Sequence, residues 1–135
     1  MALQFSVTVR NARLDAIETA IGTSAVMMLR SGAAPADCAT ANSGTVLATL
    51  NLPSDWMAAA SGGTKALTGT WQDTSADAAG TAAHFRVYAS NGTTVHAQGT
   101  VTATGGGGDL TLDNVVLAAG QQVTITGFTI TDGNA

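Results

Sequence analysis

His84-Phe85-Arg86-Val87-Tyr88-Ala89-Ser90-Asn91-Gly92-Thr93-Thr94-Val95-His96-Ala97-Gln98 reads as two β-strands around an Asn-Gly turn. A strict two-residue turn pairs Ser90 with Thr93 and puts Phe85 and Val87 on one face with His96 and Gln98. A type I turn with Gly92 as a left-handed bulge pairs Ala89 with Thr93 instead. Phe85, Val87, Ala89, Val95 and Ala97 then share one face, and His84, Arg86, Tyr88, Thr94, His96 and Gln98 the other. A one-residue slip exchanges the faces, so the segregated register is the expected one. It places Arg86 opposite His96.

Further strands follow on both sides. Ala25–Arg30 and Thr45–Leu52 read as strands, the second ended by Pro53, which cannot donate to a ladder. Ser54–Ala58 reads as a helix-like turn, and Lys65–Gln72 as a strand with a candidate bulge at Gly69. Gly105–Gly108 reads as a hairpin loop before Leu110-Thr111-Leu112, and Val115–Leu117 as a short strand. In the last strand Val123 and Ile125 keep one phase while Phe128 and Ile130 keep the other. A bulge or sheet-switching bend is therefore expected at Gly127.

At the N-terminus two periods compete. Leu3, Phe5, Val7 and Val9 alternate, whereas Val7, Leu14 and Ile21 recur every seven residues with Ile17 between the last two. A helix ending at Ile21 is expected, started by Ser6 or Asn11 and stopped by a left-handed Gly22. Arg10 and Arg13 lie at its unfavourable end for the helix dipole, which points to partners elsewhere. The resulting organisation is an N-terminal amphipathic helical segment over 1–22 and a β domain over 23–135. The expected fold is mainly β, an antiparallel β-sandwich or jelly roll with one N-terminal α-helix.

Composition narrows the functional classes. Only 10% of the 135 residues are charged, against about a quarter in a typical domain, and after Leu67 the chain carries one Arg and no Lys. A net charge of −4 with four scattered Arg and one Lys argues against nucleic acid and against anionic lipid. No run approaches the roughly 18 apolar residues of a membrane span, and no leader pattern opens the chain, so synthesis in a cytoplasm is expected. A surface so short of charge is expected to be partly covered by other copies or by a partner.

No catalytic constellation emerges, and neither an enzyme activity nor a cofactor is expected. Cys38 permits no internal disulfide and has no activating cation beside it. His84 and His96 share a face, but Arg86 lies between them and no third metal ligand is near. That face is read instead as solvated or subunit-facing. Asp73, Asp77, Asp109 and Asp113 do not have EF-hand spacing, and Gly105–Gly108 lacks the Lys-Ser/Thr of a phosphate loop. Trp56 and Trp71 are expected to be packing anchors, with exposed stacking on a sugar or a partner as the other use.

The segments LNLPSDWMAAASGGTKALTGTWQD, GTAAHFRVYASNGTTVHAQGTV, TATGGGGDLTLDN and AGQQVTITGFTITDGNA, behind FSVTVRNARLDAIETAIG, resemble small structural proteins encoded by tailed bacteriophages. The resemblance implies a virion component, for capsid decoration or as a neck or tail accessory. It further implies many copies, three-fold or higher symmetry with a trimer among the options, and contacts with other virion proteins such as the major capsid protein. The residues assigned to such contacts are Val7, Arg10, Leu14 and Ile17 on the helix and His84, Arg86, Tyr88 and His96 on the hairpin. The alternative is a glycan- or host-surface-binding module using Trp56, Trp71 or Tyr88. A small hydrolase ranks last.

Overall fold

The computed structural model describes residues 1–133, which form a mainly β structure with one helix. Helix α1 spans Val7–Ile21. Ser6 caps it, with its hydroxyl accepting from Val9 N at 3.3 Å. Gly22 ends it at φ +93° and ψ 177°, a conformation only glycine adopts readily, extended rather than left-handed helical.

Strands β1 (Val26–Arg30), β2 (Val46–Asn51), β6 (His84–Tyr88), β7 (Val95–Ala103) and β8 (Leu110–Leu112) form a five-stranded sheet in the order β2-β1-β6-β7-β8. Between them in sequence lie β3 (Thr64–Ala66), β4 (Trp71–Asp73) and β5 (Gly80–Thr81), and after them β9 (Val116–Leu117), β10 (Val123–Ile125) and β11 (Thr129–Thr131). These six pair as β10-β4, β11-β3 and β5-β9.

The central hairpin takes a different register, which keeps Phe85, Val87 and Ala97 on one face but moves Val95 to the face of Tyr88. Gly92 takes the left-handed conformation at φ +69°, and its N–H reaches Ala89 O at 2.9 Å. Phe85 lies opposite Gly99, Arg86 opposite Gln98 and Val87 opposite Ala97, two residues beyond the expected pairing. A slip of two preserves the faces; a slip of one would not. Tyr88 then pairs with Val95, so His96 is the extra residue of a bulge.

The segment expected as one strand over 65–72 is two, β3 and β4, on separate two-stranded sheets, and the last strand divides likewise into β10 and β11. The four pieces form one bent antiparallel ribbon. Ala66 faces Thr129 on one arm and Trp71 faces Ile125 on the other, with one residue of register gained between them. That gain is why Val123 and Ile125 are out of phase with Phe128 and Ile130. Gly69 makes the break on its strand, at φ +70°, where a Cβ would lie 2.8 Å from Pro53 Cγ.

Two expectations are corrected. Residues 54–58 form no helical turn; Met57 bridges to Leu67 in extended chain. Gly105–Gly108 is no hairpin loop, because β8 runs parallel to β7, with Val101 beside Leu110. Parallel neighbours usually need about a dozen connecting residues. Here glycine permits a shorter return: a Cβ on Gly106 or Gly108 would fall 2.7–3.0 Å from Thr102, and one on Gly99 would strike the Phe85 ring. Asp109 fixes the return by accepting from Thr100 N at 2.8 Å and Thr100 Oγ1 at 2.9 Å.

The core joins the large sheet to the ribbon. Met27, Leu29, Leu47, Leu50, Phe85, Val87 and Val101 meet Trp56, Trp71, Val123 and Ile125. The Trp71 and Phe128 rings lie 5.4 Å apart, and Phe128 meets Phe85 edge-on at 5.7 Å.

Candidate functional site

The two surfaces assigned to other subunits are built differently from one another. On the hairpin, all five residues of β6 are buried, including His84, Arg86 and Tyr88. Residues 31–45 cover the polar face, and the strand side chains capture that loop's carbonyls. Arg86, 1% exposed, donates from Nη2 to Asp37 O at 2.7 Å and Thr40 O at 3.0 Å, and from Nη1 to Asn42 Oδ1 at 2.8 Å. Its Nε and Nη2 also share Gln98 Oε1, and Gln98 Nε2 donates to Pro35 O at 2.7 Å. Arg30 reaches Ser43 O and Gly44 O at 3.2 and 3.4 Å. His84 Nδ1 lies 2.8 Å from Gly32 O; the carbonyl only accepts, so Nδ1 carries the hydrogen.

A buried guanidinium is thus solvated by carbonyl and amide dipoles, with no carboxylate in contact with it. Asp37 keeps its own partners, accepting from Thr40 Oγ1 and Thr40 N, and these bonds hold its carboxyl below the ordinary range, with Arg86 adding a smaller pull. His84, Arg86 and Tyr88 therefore lie under the chain's own loop and not on its outer face. His96, pushed out by the bulge, is exposed and separated from buried His84. Among the described residues no group of three or more His, Cys, Asp or Glu side chains is placed to hold a metal ion.

The helix divides into a docked part and an uncovered part. Leu14 is buried, and Ile17 packs against the core that includes Ile21. Beside them a polar stripe substitutes for a β-strand. Asn11 Oδ1 accepts from Gly63 N at 2.9 Å, Asp15 Oδ1 from Ala60 N at 2.9 Å, and Glu18 Oε1 from Met57 N at 3.2 Å. Spacing of four and three residues along the helix meets backbone N–H groups three residues apart.

Lys65 closes this contact from β3. Its ammonium, 2% exposed, contacts Asp15 Oδ1 at 2.7 Å, Glu18 Oε2 at 2.9 Å and Ala58 O at 2.9 Å, which accounts for all three donors. Burial opposes the Lys65 charge, yet the bonds it donates to the Asp15 and Glu18 carboxylates outweigh that and raise its pKa. The bond from Lys65, then that from Ala60 N, holds the Asp15 carboxyl low. An open groove of about 590 Å³ runs beside this clasp, past Ser54, Asp55 and Thr19.

Arg10 and Arg13 find the partners their position at the helix start called for. Arg10 Nη1 donates to Asp132 O at 3.1 Å, and Arg13 Nε meets Asp132 Oδ2 at 3.0 Å. All five cationic side chains of the protein, Arg10, Arg13, Arg30, Lys65 and Arg86, therefore have partners within the chain. The uncovered part of the helix is its first turn. Val7 and Val9 are exposed, as are residues 1–6 before them.

Trp56 and Trp71 are buried anchors. Trp56 Nε1 donates to Gly22 O at 2.9 Å, and Trp71 Nε1 to Trp56 O at 3.1 Å and Thr68 O at 3.2 Å. A stacking platform for a sugar needs an exposed ring; both tryptophans and Tyr88 are covered.

Sequence reasoning missed Asn11, Asp15, Glu18 and Lys65 as a unit, and Asn42 as the loop's tie to the strand. The signal for the first was present: three polar residues at 11, 15 and 18 share one side of the helix. Asn42 leaves no such mark. No helix among the described residues is long and apolar enough to cross a membrane. Compared with protein-family models, with curated proteins and with solved structures, the chain matches none of them.

Proposed function

We propose that this chain is a structural component of a tailed-phage virion, a capsid decoration protein or a neck or tail accessory. It acts without catalysis, by assembling with copies of itself and with other virion proteins such as the major capsid protein. In this reading it is made in the host bacterial cytoplasm and resides in the virion. The observation that carries the proposal is a contrast of surfaces. The cationic side chains are engaged within the chain, while the apolar side chains of Leu3, Val7 and Val9 are exposed. Such a molecule has little with which to read phosphate or a charged ligand, and much with which to bind neutral protein surface.

The finer fold belongs to the same proposal. A β-sandwich takes the five-stranded sheet as one layer and the bent ribbon as the other, with Phe85 meeting Phe128 and Trp71 packed on the same ring. Thr-rich strands on its outer surfaces suit packing between copies, since little charge has to be desolvated. Many copies on one particle make a modest contact per copy sufficient.

Mass spectrometry of purified virions from a phage carrying this gene tests the reading. The expected result is the chain present in many copies per particle, and reattachment of purified protein to particles lacking it. Its absence from intact virions would overturn the proposal.

A further inference from the structure

Of the three buried side-chain polar atoms without a hydrogen-bond partner among the described residues, two stand on facing strands: Arg30 Nε and His84 Nε2. Arg30 on β1 pairs directly with His84 on β6, so both side chains project from one face of the sheet. His84 is 0% exposed and Arg30 7%. The His84 ring gives its Nδ1 hydrogen to Gly32 O at 2.8 Å, so in the neutral ring Nε2 is an acceptor. Arg30 Nε–H is a donor. The two orphaned atoms are therefore complementary in kind while the ring is neutral.

The surroundings offer little to hold a positive charge on that ring. Arg86, itself buried, lies two residues along the same strand on the same face. On β7 the facing residue is Thr100, whose N–H and hydroxyl are given to Asp109, just before β8. The covering segment, residues 31–45, holds one carboxylate, Asp37, taken by Thr40 N and Thr40 Oγ1, and one thiol, Cys38. Tyr88, farther along the face, gives its hydroxyl to Asn42. Among the described residues no carboxylate forms an ion pair with His84. A proton on Nε2 would turn the acceptor into a second donor opposite Arg30. It would also set a third cation beside Arg30 and Arg86 in a buried layer.

We propose that residues 31–45 form a proton-released strap, closed on the sheet while His84 is neutral and lifted when His84 Nε2 takes up a proton. The strap is the part that yields because no residue of 31–45 is buried, so it adds no side chain to the core. It is tied down by side-chain hydrogen bonds: His84 holds Gly32 O, Arg30 holds Ser43 O, and Arg86 holds Asp37 O and Thr40 O. The strand beneath is fixed by ladders on both sides. Lifting returns the three positive groups to water, where their repulsion is screened. A surface whose cations were all engaged then presents Arg30, His84 and Arg86. The switch works at about pH 5 to 8, where imidazoles exchange their proton. Asp37 and Asp109 stay ionised there, because the bonds from Thr40 and from Thr100 hold their carboxyls low.

Amide hydrogen exchange of the full chain, expressed as protection factors so that the intrinsic effect of pH is removed, tests this beside the His84 ring signals in NMR. Ser31 N bonds Thr45 O and Thr45 N bonds Ser31 Oγ, so these two amides report on the base of the strap. Between about pH 7.5 and about pH 5 their protection is expected to fall about tenfold or more, while β1 and β6 keep theirs. The fall should share its midpoint with the His84 ring titration. His84→Asn keeps a donor for Gly32 O but takes up no proton, so its strap protection should not change with pH. His96→Asn, at the exposed histidine, should leave the fall intact. If His84→Asn does not close the strap at all, the shared midpoint in the parent decides alone. A His84 ring still neutral at pH 5, a protonated ring under a protected strap, or an equal fall in His84→Asn each overturns the proposal.

Discussion

Asn42 Oδ1 accepts from Arg86 Nη1 at 2.8 Å and from Tyr88 Oη at 2.8 Å, so one amide oxygen in the 31–45 loop ties down two residues of the same strand. Arg86 alone reaches four acceptor groups, on Asp37, Thr40, Asn42 and Gln98. A lysine there is a point charge with three donors and no planar fork. Arg86→Lys is expected to cost about 2–4 kcal/mol, measured by urea unfolding. Amide exchange should rise first in residues 31–45. Equal protection of that loop in variant and parent would refute its dependence on Arg86.

The helix clasp sets a pH window. Lys65 has its pKa raised in the folded chain, so its contribution is complete below the unfolded value near pH 10.4 and is lost as pH rises through the folded one. Asp15 is depressed, as are Asp37, by its bonds from Thr40, and Asp109, by those from Thr100. Their contribution is complete above about pH 4 and is lost as pH falls through the depressed values. Stability from these groups should be flat across neutral pH and fall at both ends. In Lys65→Met the alkaline fall assigned to Lys65 should vanish; its persistence would place that loss elsewhere.

Two bends with the same look in sequence should answer differently to alanine. Gly69 stands at φ +70° with Pro53 Cγ 2.8 Å from a built Cβ, whereas Gly127 has nothing within 4 Å and no positive φ. Gly69→Ala is expected to cost about 1–3 kcal/mol, and Gly127→Ala less than about 0.5 kcal/mol. Thermal unfolding of the two variants side by side decides it, and equal losses would contradict this account of the bends.

Both tryptophans are expected to be silent to iodide in the native state and quenched on unfolding. Trp71→Ala removes a ring that contacts both Trp56 and Phe128 and should cost about 3–5 kcal/mol. Native tryptophan emission quenched as fully as in urea would show a ring in solvent.

What was legible in the sequence follows from what repeats. The helix from Ser6 to Gly22, most of the strand positions and the split of Phe85, Val87 and Ala97 from His84, Arg86, Tyr88 and Gln98 rest on period or alternation, and each appears, while Val95 changes face at the bulge. Register within the hairpin did not follow, because slips of two leave the faces unchanged and Gly99 had no visible reason to sit under Phe85. The parallel β8 was hidden because a glycine run signals flexibility in sequence and close approach only in space. The cover over Arg86 was hidden for a different reason. Its acceptors are mostly backbone carbonyls, which every residue has, so nothing in residues 31–45 announces them. A polar strand face therefore read as a surface for other subunits when its own loop lay over it.

Sedimentation velocity of the unmodified chain over a wide concentration range, at low and at high salt, tests the central claim of assembly most directly. A reversible oligomer of two or more copies is expected, with an association that persists at high salt because the contact is apolar and the cations are already paired within each chain. A monomer at every concentration, with no binding to virions lacking the chain, would contradict it.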